Sequence, residues 1–301
     1  MASGSDKSLF SVPLAEPGQA MQFGVIGGDD ALADLIGAIP GLQVARRAQA
    51  GGGEWRQIIN PNLIDALVID VAPAWRASMI QDALAVGVPV LCAGAIANDA
   101  GEVEMIKRLS GMGGGLVMGW YPWLFNPAFS ALREIGGMVG PIRAIRATTH
   151  VPAPLTGADL LWTAGADGVA GVLELMGGPP EYASGEVLGD DGVLLRLLYK
   201  DDVNAHVELR GGRPAADSFA VHRDALILRH SHDGGLRVHP PTTAFAAPTD
   251  AGELIAGVDP GGPETALRTF AHMILEREPQ PQVLDFAADV VKVLAQCAKG
   301  L

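Results

Sequence analysis

The sequence predicts a two-part α/β protein. A Rossmann-like, doubly wound domain comes first, and an α+β domain with a large open, mainly antiparallel sheet follows. Three observations carry this. Residues 21–32 run from a short apolar stretch (Phe23, Val25, Ile26) through glycines into a helical stripe of Leu32, Leu35, Ile36 and Ile39, the strand–turn–helix opening of a dinucleotide-binding unit. From 23 to 119, strand-like and helix-like stretches alternate, as parallel βαβ units require. From 181 to 239, short strands are broken by turns such as Gly189-Asp190-Asp191-Gly192 and Gly211-Gly212, which suits antiparallel pairing.

Residues 1–20 carry Ser, Gly and Pro with little periodicity and read as a flexible N-terminal arm. The first domain is expected over 21–119. Residues 44–47 form a second strand, and 64–71 are a near-continuous apolar run, as a buried parallel strand should be. Residues 79–86 read as helix, 88–92 as strand, 99–109 as helix and 115–119 as a last short strand. The second domain is expected over 120–301. It opens on an aromatic burst, Trp120-Tyr121-Pro122-Trp123-Leu124-Phe125, and on Asn126-Pro127, an N-cap and first-turn proline for a helix over 128–135. A strand over 142–149, a proline-rich loop and a helix over 168–176 come next. Helices over 264–276 and 283–299 close the chain, the last strongly amphipathic and expected to pack back on the first domain.

The 301 residues suffice for a sizeable core, and 49% hydrophobic with 18% charged residues is a globular composition. Acidic residues outnumber basic ones 34 to 21, a net charge of -13, which argues against nucleic acid or an anionic membrane as partner. Cys92 and Cys297 sit in apolar patterns and read as buried free thiols. No apolar leader segment and no membrane-length apolar run is present, so a cytoplasmic, soluble protein is expected. His230 and His232 share a strand face, but no Cys or Glu accompanies them at ligand spacing, and no metal is expected.

The order of these segments resembles the glucose–fructose oxidoreductase / inositol dehydrogenase (Gfo/Idh/MocA) family over most of the chain. The segment from 64 to 92, ending Val88-Pro89-Val90-Leu91-Cys92, is similar to the family stretch that leads into Glu-Lys-Pro. Residues 119–127 and 136–142 resemble its Asn-Pro and Gly-x-x-Gly segments, and 165–177 resembles the helix carrying Asp-x-x-x-His. The resemblance implies NAD or NADP, a lysine contacting substrate and cofactor, and a histidine for proton transfer. Here the Glu-Lys-Pro positions hold Ala93, Gly94 and Ala95, the histidine position holds Asp167, and the aspartate one turn on is Ala170. Neither alanine nor glycine moves a proton. In the glycine fingerprint Gly27 serves as the first glycine, but Asp29 and Leu32 stand at the second and third. Asp29 and Asp30 should occupy the helix N-terminus themselves, where a pyrophosphate would meet like charge.

The expected function is therefore a divergent homologue without the ordinary lysine- and histidine-assisted hydride transfer. It would be a ligand-binding or accessory subunit, or a non-redox enzyme, with no cofactor. The alternative is an active NAD(P)-dependent oxidoreductase on a sugar, polyol or other small cyclic substrate, with Gly27, Gly28, Arg46 and Arg47 holding NAD or NADP. Asp167 is the candidate catalytic group. Trp120, Tyr121, Trp123, Asn126 and Arg76 are the candidate ligand-cleft residues at the junction of the halves, with a surface position expected for Arg76. Alternation of Val203, Ala205, Val207 and Leu209 suggests a bare apolar sheet face, and with it a homo-oligomer or a protein partner.

Overall fold

Five parallel strands make the first sheet: β1 (Met21–Gly27), β2 (Leu42–Ala48), β3 (Ala66–Asp70), β4 (Val90–Ala93) and β5 (Val117–Trp120), in the order β2-β1-β3-β4-β5. This computed structural model describes residues 20–301 apart from 52, 213, 232–233, 242–251, 257–261 and 277–280. Phe23, Val25 and Ile26 of β1, Ala66 to Ile69 of β3 and Val90 to Cys92 of β4 are wholly buried, because helices cover both faces of the sheet. The helices are α1 (Asp30–Ala38), α2 (Pro73–Ala85) and α3 (Ala100–Leu109). Asp99 caps α3 by accepting from the Glu102 N–H at 2.9 Å, while Glu102 accepts from the Asn98 N–H at 2.9 Å, a reciprocal box that fixes where the helix begins. Strand order reverses between β1 and β3, and the loops after those strands open the crevice where ligands of such sheets bind.

The second sheet has eight strands in the order β13-β12-β11-β10-β6-β9-β8-β7. These are β6 (Ile142–Val151), β7 (Tyr182–Leu188), β8 (Gly192–Leu198), β9 (Asn204–Gly211), β10 (Ser218–Arg223), β11 (Ile227–Ser231), β12 (Gly235–His239) and β13 (Glu253–Ala256). All neighbours are antiparallel except β6 and β9, which run parallel. Helix α4 (Pro127–Met138) precedes this sheet, and α5 (Gly157–Met176) lies across one face of it.

Helix α5 begins eleven residues before the expected start at 168. Its glycines hide it in the sequence, since each lowers helix propensity. In the structure they are packing positions. A Cβ on Gly165 would lie 2.8 Å from Leu294, on Gly168 2.6 Å from Val207, and on Gly171 2.8 Å from Phe219. The side-chain-free stripe lets α5 sit close on the sheet. This corrects the expectation of a bare apolar face: Ala205, Val207 and Leu209 are fully buried, and the side they occupy is the one α5 covers.

The chain closes with α6 (Gly262–Glu276) and α7 (Pro281–Ala298). Helix α7 packs on α5 and β7 of the second half and on α3 and β5 of the first, with an ion pair of 2.5 Å between Lys107 and Asp285. Both cysteines are free and buried. Among the described residues no helix is long and apolar enough to cross a membrane.

Candidate functional site

At the end of β1 the chain turns on Gly27 and Gly28, both with positive φ (75° and 64°). The turn needs a glycine at 27 for steric reasons as well, because a Cβ there would fall 2.0 Å from the Asp70 carbonyl oxygen. The Gly28 N–H donates to that carbonyl at 2.9 Å, locking the first turn to the end of β3. Asp29 is the N-cap of α1, accepting from the Leu32 N–H at 3.2 Å. Asp30 turns outward and pairs with Arg47 at 2.7 Å, and Arg47 also donates to the Asp29 carbonyl at 3.2 Å. The Arg46 side chain, by contrast, bonds only the neighbouring Ala45 carbonyl, at 2.8 Å, among the described residues. Burial raises the pKa of Asp70, with Arg76 opposing and the charge of Asp29 adding to the rise.

The bend of a dinucleotide turn is thus present, while its anion seat is filled. The helix-end N–H that would meet a pyrophosphate already holds the Asp29 carboxylate, with Asp30 and Asp70 beside it. Arg47 is the one cation in contact with the turn among the described residues.

Arg76 is buried, 4% exposed, which corrects its expected place on the surface. Its Nε donates to the Val71 carbonyl at 2.9 Å and its Nη1 to the Ala95 carbonyl at 3.2 Å. The guanidinium therefore ties the loop after β3 to the loop after β4. It rests against Gly94, where a Cβ would stand 2.9 Å from Nη1. No carboxylate lies within ion-pair distance of Arg76 among the described residues. The phenol of Tyr121 is close by, 2% exposed and folded back over Gly119, and its hydroxyl has no partner among the described residues. Burial raises the Tyr121 pKa, the charges of Cys92 and Asp167 push the same way, and Arg76 opposes them. Cys92 beside it is pushed up to about 11, chiefly by burial.

The aromatic burst does not form one wall. Trp120 and Tyr121 pack into different clusters, Trp120 toward Phe270 and Tyr121 edge-on to Phe286 at 6.0 Å. Trp123 is wholly buried, among Phe219 (5.6 Å), His230 (5.2 Å) and Phe129 (6.3 Å). It is core, not a cleft wall. Asn126 is a buried helix cap, its side chain engaged in accepting from the Ala128 N–H at 2.9 Å. His230 also belongs to this core, not to the surface, and His232 lies outside the described residues.

Asp167 stands on α5 facing the turn Pro122–Phe125, half-buried, and accepts from the Trp123 N–H at 2.9 Å. Burial pushes its carboxyl up to about 8, the Trp123 bond works against the rise, and the charge of Asp217 adds to it. Asp217 in turn accepts from the His150 N–H at 2.7 Å. The structure therefore gathers Asp167, Tyr121 and Arg76 around the ends of β4 and β5, and leaves Trp123 and Asn126 to structural work.

No protein-family model matches the sequence, and no curated protein does. Solved structures do match. A candidate oxidoreductase from Magnetospirillum magnetotacticum MS-1 superposes with a TM-score of 0.82 at 26% identity, covering 93% of this chain and 100% of that one. KijD10, a 3-ketoreductase from Actinomadura kijaniata solved with TDP-benzene and NADP, gives 0.77 at 16% identity over 94% and 98% of the two chains. The UDP-N-acetylglucosamine 3-dehydrogenase GnnA from Acidithiobacillus ferrooxidans gives 0.75 at 17% over 94% and 97%. The fold is that of the Gfo/Idh/MocA oxidoreductases.

Against the Gfo/Idh/MocA pattern, Gly94 stands at the lysine position with a φ of 74°, a conformation that a lysine would adopt only under strain. The space its side chain would enter is taken by Arg76. Ala170 is fully buried. The sequence names Arg76 as a cleft candidate but not its burial, because an arginine in the first turn of a helix reads as solvated until the following strand and its loop close over it.

Proposed function

We propose that the protein binds a small hydroxyl- or carbonyl-bearing ligand at the junction of its two halves, and that Asp167 is the group that exchanges a proton or hydrogen bond with it. One observation carries this reading: a half-buried carboxyl, held at 2.9 Å by a backbone N–H, whose pKa is pushed up to about 8. Such a group is largely un-ionised at neutral pH. It can donate to a ligand oxygen and take a proton back within the working range. Arg76 and Tyr121 supply a fixed positive charge and an unengaged hydroxyl nearby. No step of this reading uses a nicotinamide, because the turn that would hold the pyrophosphate is occupied by Asp29.

A second reading rests on the neighbours. KijD10 is solved with NADP on this fold, and Arg47 lies beside the glycine turn. In that reading the chain is an NAD(P)-dependent oxidoreductase in which Asp29 swings away and Arg47 meets phosphate.

Titration with the four nicotinamide nucleotides, followed by calorimetry and thermal shift, separates the two. The first reading expects no rise in melting temperature at about 1 mM of any form, whereas binding tighter than that would raise it. Sub-millimolar binding that is weakened by Arg47→Ala would overturn the first reading in favour of the second.

A further inference from the structure

Among the described residues Arg76 is the one buried arginine or lysine, and its charge has no counter-charge in contact with it. Nε and Nη1 are engaged by the Val71 and Ala95 carbonyls at 2.9 and 3.2 Å, while Nη2 has no partner among the described residues. Two neutral carbonyls fix the guanidinium without cancelling its charge, and an uncompensated buried charge is costly. Asp70 feels that charge, yet it is exposed and makes no ion pair with it. Nη1, Cζ and Nη2 stand 2.9, 3.5 and 3.6 Å from where a Cβ of residue 94 would be. Helix α2 thus brings to the end of β4 a charge that Gly94 cannot carry. Tyr121 adds a second group. Gly119 pairs with Cys92 in strand register, two residues before Gly94, and the Tyr121 hydroxyl folds back over Gly119 so closely that a Cβ there would not fit. That hydroxyl is buried without a partner among the described residues, a state that folded proteins avoid unless a ligand or water completes it. Burial raises the Tyr121 pKa, and Arg76 and Asp167 act on it in opposite senses, which puts all three groups in one electrostatic neighbourhood.

We infer that Arg76 and Tyr121 form an anion seat, and that the ligand of the junction is a small hydroxy or oxo acid whose carboxylate meets Arg76 Nη2 and the Tyr121 hydroxyl. This rests on the reading of Asp167 as the partner of the ligand's hydroxyl or carbonyl, and adds the charge the ligand carries. A neutral polyol would leave the Arg76 charge unanswered, whereas a carboxylate gives it a charge-assisted hydrogen bond. One guanidinium and one hydroxyl match a single negative charge. A phosphate dianion would find too few donors here, in a chain of net charge -13. Both groups are nearly covered, so the seat takes the end of a small acid rather than the flank of a large one. The Asp167 carboxyl, pushed up to about 8 by burial, is largely un-ionised at neutral pH. It does not repel the acid, and it can donate to the oxygen beside the carboxylate.

The test is calorimetry at neutral pH with two matched pairs of probes, lactate against lactamide and glucuronate against glucose. In at least one pair the acid is expected to bind about tenfold more tightly than its neutral partner, the difference between a charged and a neutral hydrogen bond. Arg76→Gln should remove that preference. Tyr121→Phe should weaken the acid several-fold while its melting temperature holds or rises, because the lost hydroxyl had no partner to leave behind. A tyrosine that only fills space would not show that split, and it decides the matter if Arg76→Gln fails to fold. Acids that bind no tighter than their neutral partners overturn the proposal, as does acid binding that Tyr121→Phe leaves unchanged. So does inorganic phosphate bound as tightly as the acids, or no acid binding up to about 10 mM. The two readings fail separately. Neutral and acidic probes bound alike, and both lost in Asp167→Asn, would overturn the anion seat and keep the role of Asp167. A preference for the acid that Asp167→Asn leaves untouched would keep the seat and overturn that role.

Discussion

In the unfolded chain Asp167 titrates as an ordinary aspartate near 3.8, and in the folded protein burial pushes it up to about 8. Between those values the native state holds a proton that the unfolded state has lost. Stability from this group is therefore highest below about 4, falls as pH rises toward about 8, and is flat beyond. Asp167→Asn removes the titration while keeping an oxygen that accepts from the Trp123 N–H. The variant should gain on the parent from pH 5 to pH 8 by an amount on the order of a few kcal/mol, read from denaturant melts at each pH. An unchanged difference across that range would show that Asp167 is not held un-ionised. Asp167→Ala should behave otherwise, costing about 1–3 kcal/mol at low pH, because it leaves a buried N–H without an acceptor. The polar part of the site was half legible before folding. Asp167 is named by the pattern of residues around it. Arg76 and Tyr121 are named as cleft candidates too, but their burial is not legible, since it depends on loops that close over them from elsewhere in the chain.

At the scale of elements, glycine has two opposite meanings here, and paired substitutions separate them. Gly37 in α1 has nothing within 4 Å of where a Cβ would sit and no positive φ. Gly37→Ala should stabilise the protein by about 0.5–1 kcal/mol through the backbone alone. Gly168 in α5 offers the same helical backbone, yet a Cβ there would lie 2.6 Å from Val207. Gly168→Ala should destabilise by about 1–3 kcal/mol, since the fully buried Val207 has little room to yield. Thermal melts of the two variants should move in opposite directions, and a rise for both would mean that α5 can lift from the sheet. The same distinction explains what the sequence could and could not reveal. The strands β1, β3 and β4 are legible because both faces are buried and the apolar run is continuous. The first half of α5 is not, because Gly165, Gly168 and Gly171 look like helix breakers until Leu294, Val207 and Phe219 fill the space beside them. The side of β9 that faces inward was equally hidden. Alternation shows that Val207 and Leu209 share a face, but only the placement of α5 says which face is covered.

At the scale of the whole molecule, α7 is the element that makes two sheets into one body. It contacts β5 and α3 on one side and β7 and α5 on the other. Its apolar stripe of Val290, Val291, Leu294 and Cys297 is completely buried. Leu294 reaches the gap that Gly165 leaves in α5. A cavity there should be felt in both halves, because neither can expose its side of α7 without the other losing cover. Leu294→Ala should cost about 2–5 kcal/mol. Native-state hydrogen exchange assigns that cost residue by residue. The slowest amides of β1, β3 and β4 should lose protection by the same amount as those of β6, β9 and β10, giving one cooperative unit. If only the second sheet loses protection, the halves unfold separately and α7 belongs to one of them. Equal loss would place Asp167, Arg76 and Tyr121 inside a single rigid unit. Their spacing would then be fixed before any ligand arrives, as a preorganised acid–base site requires.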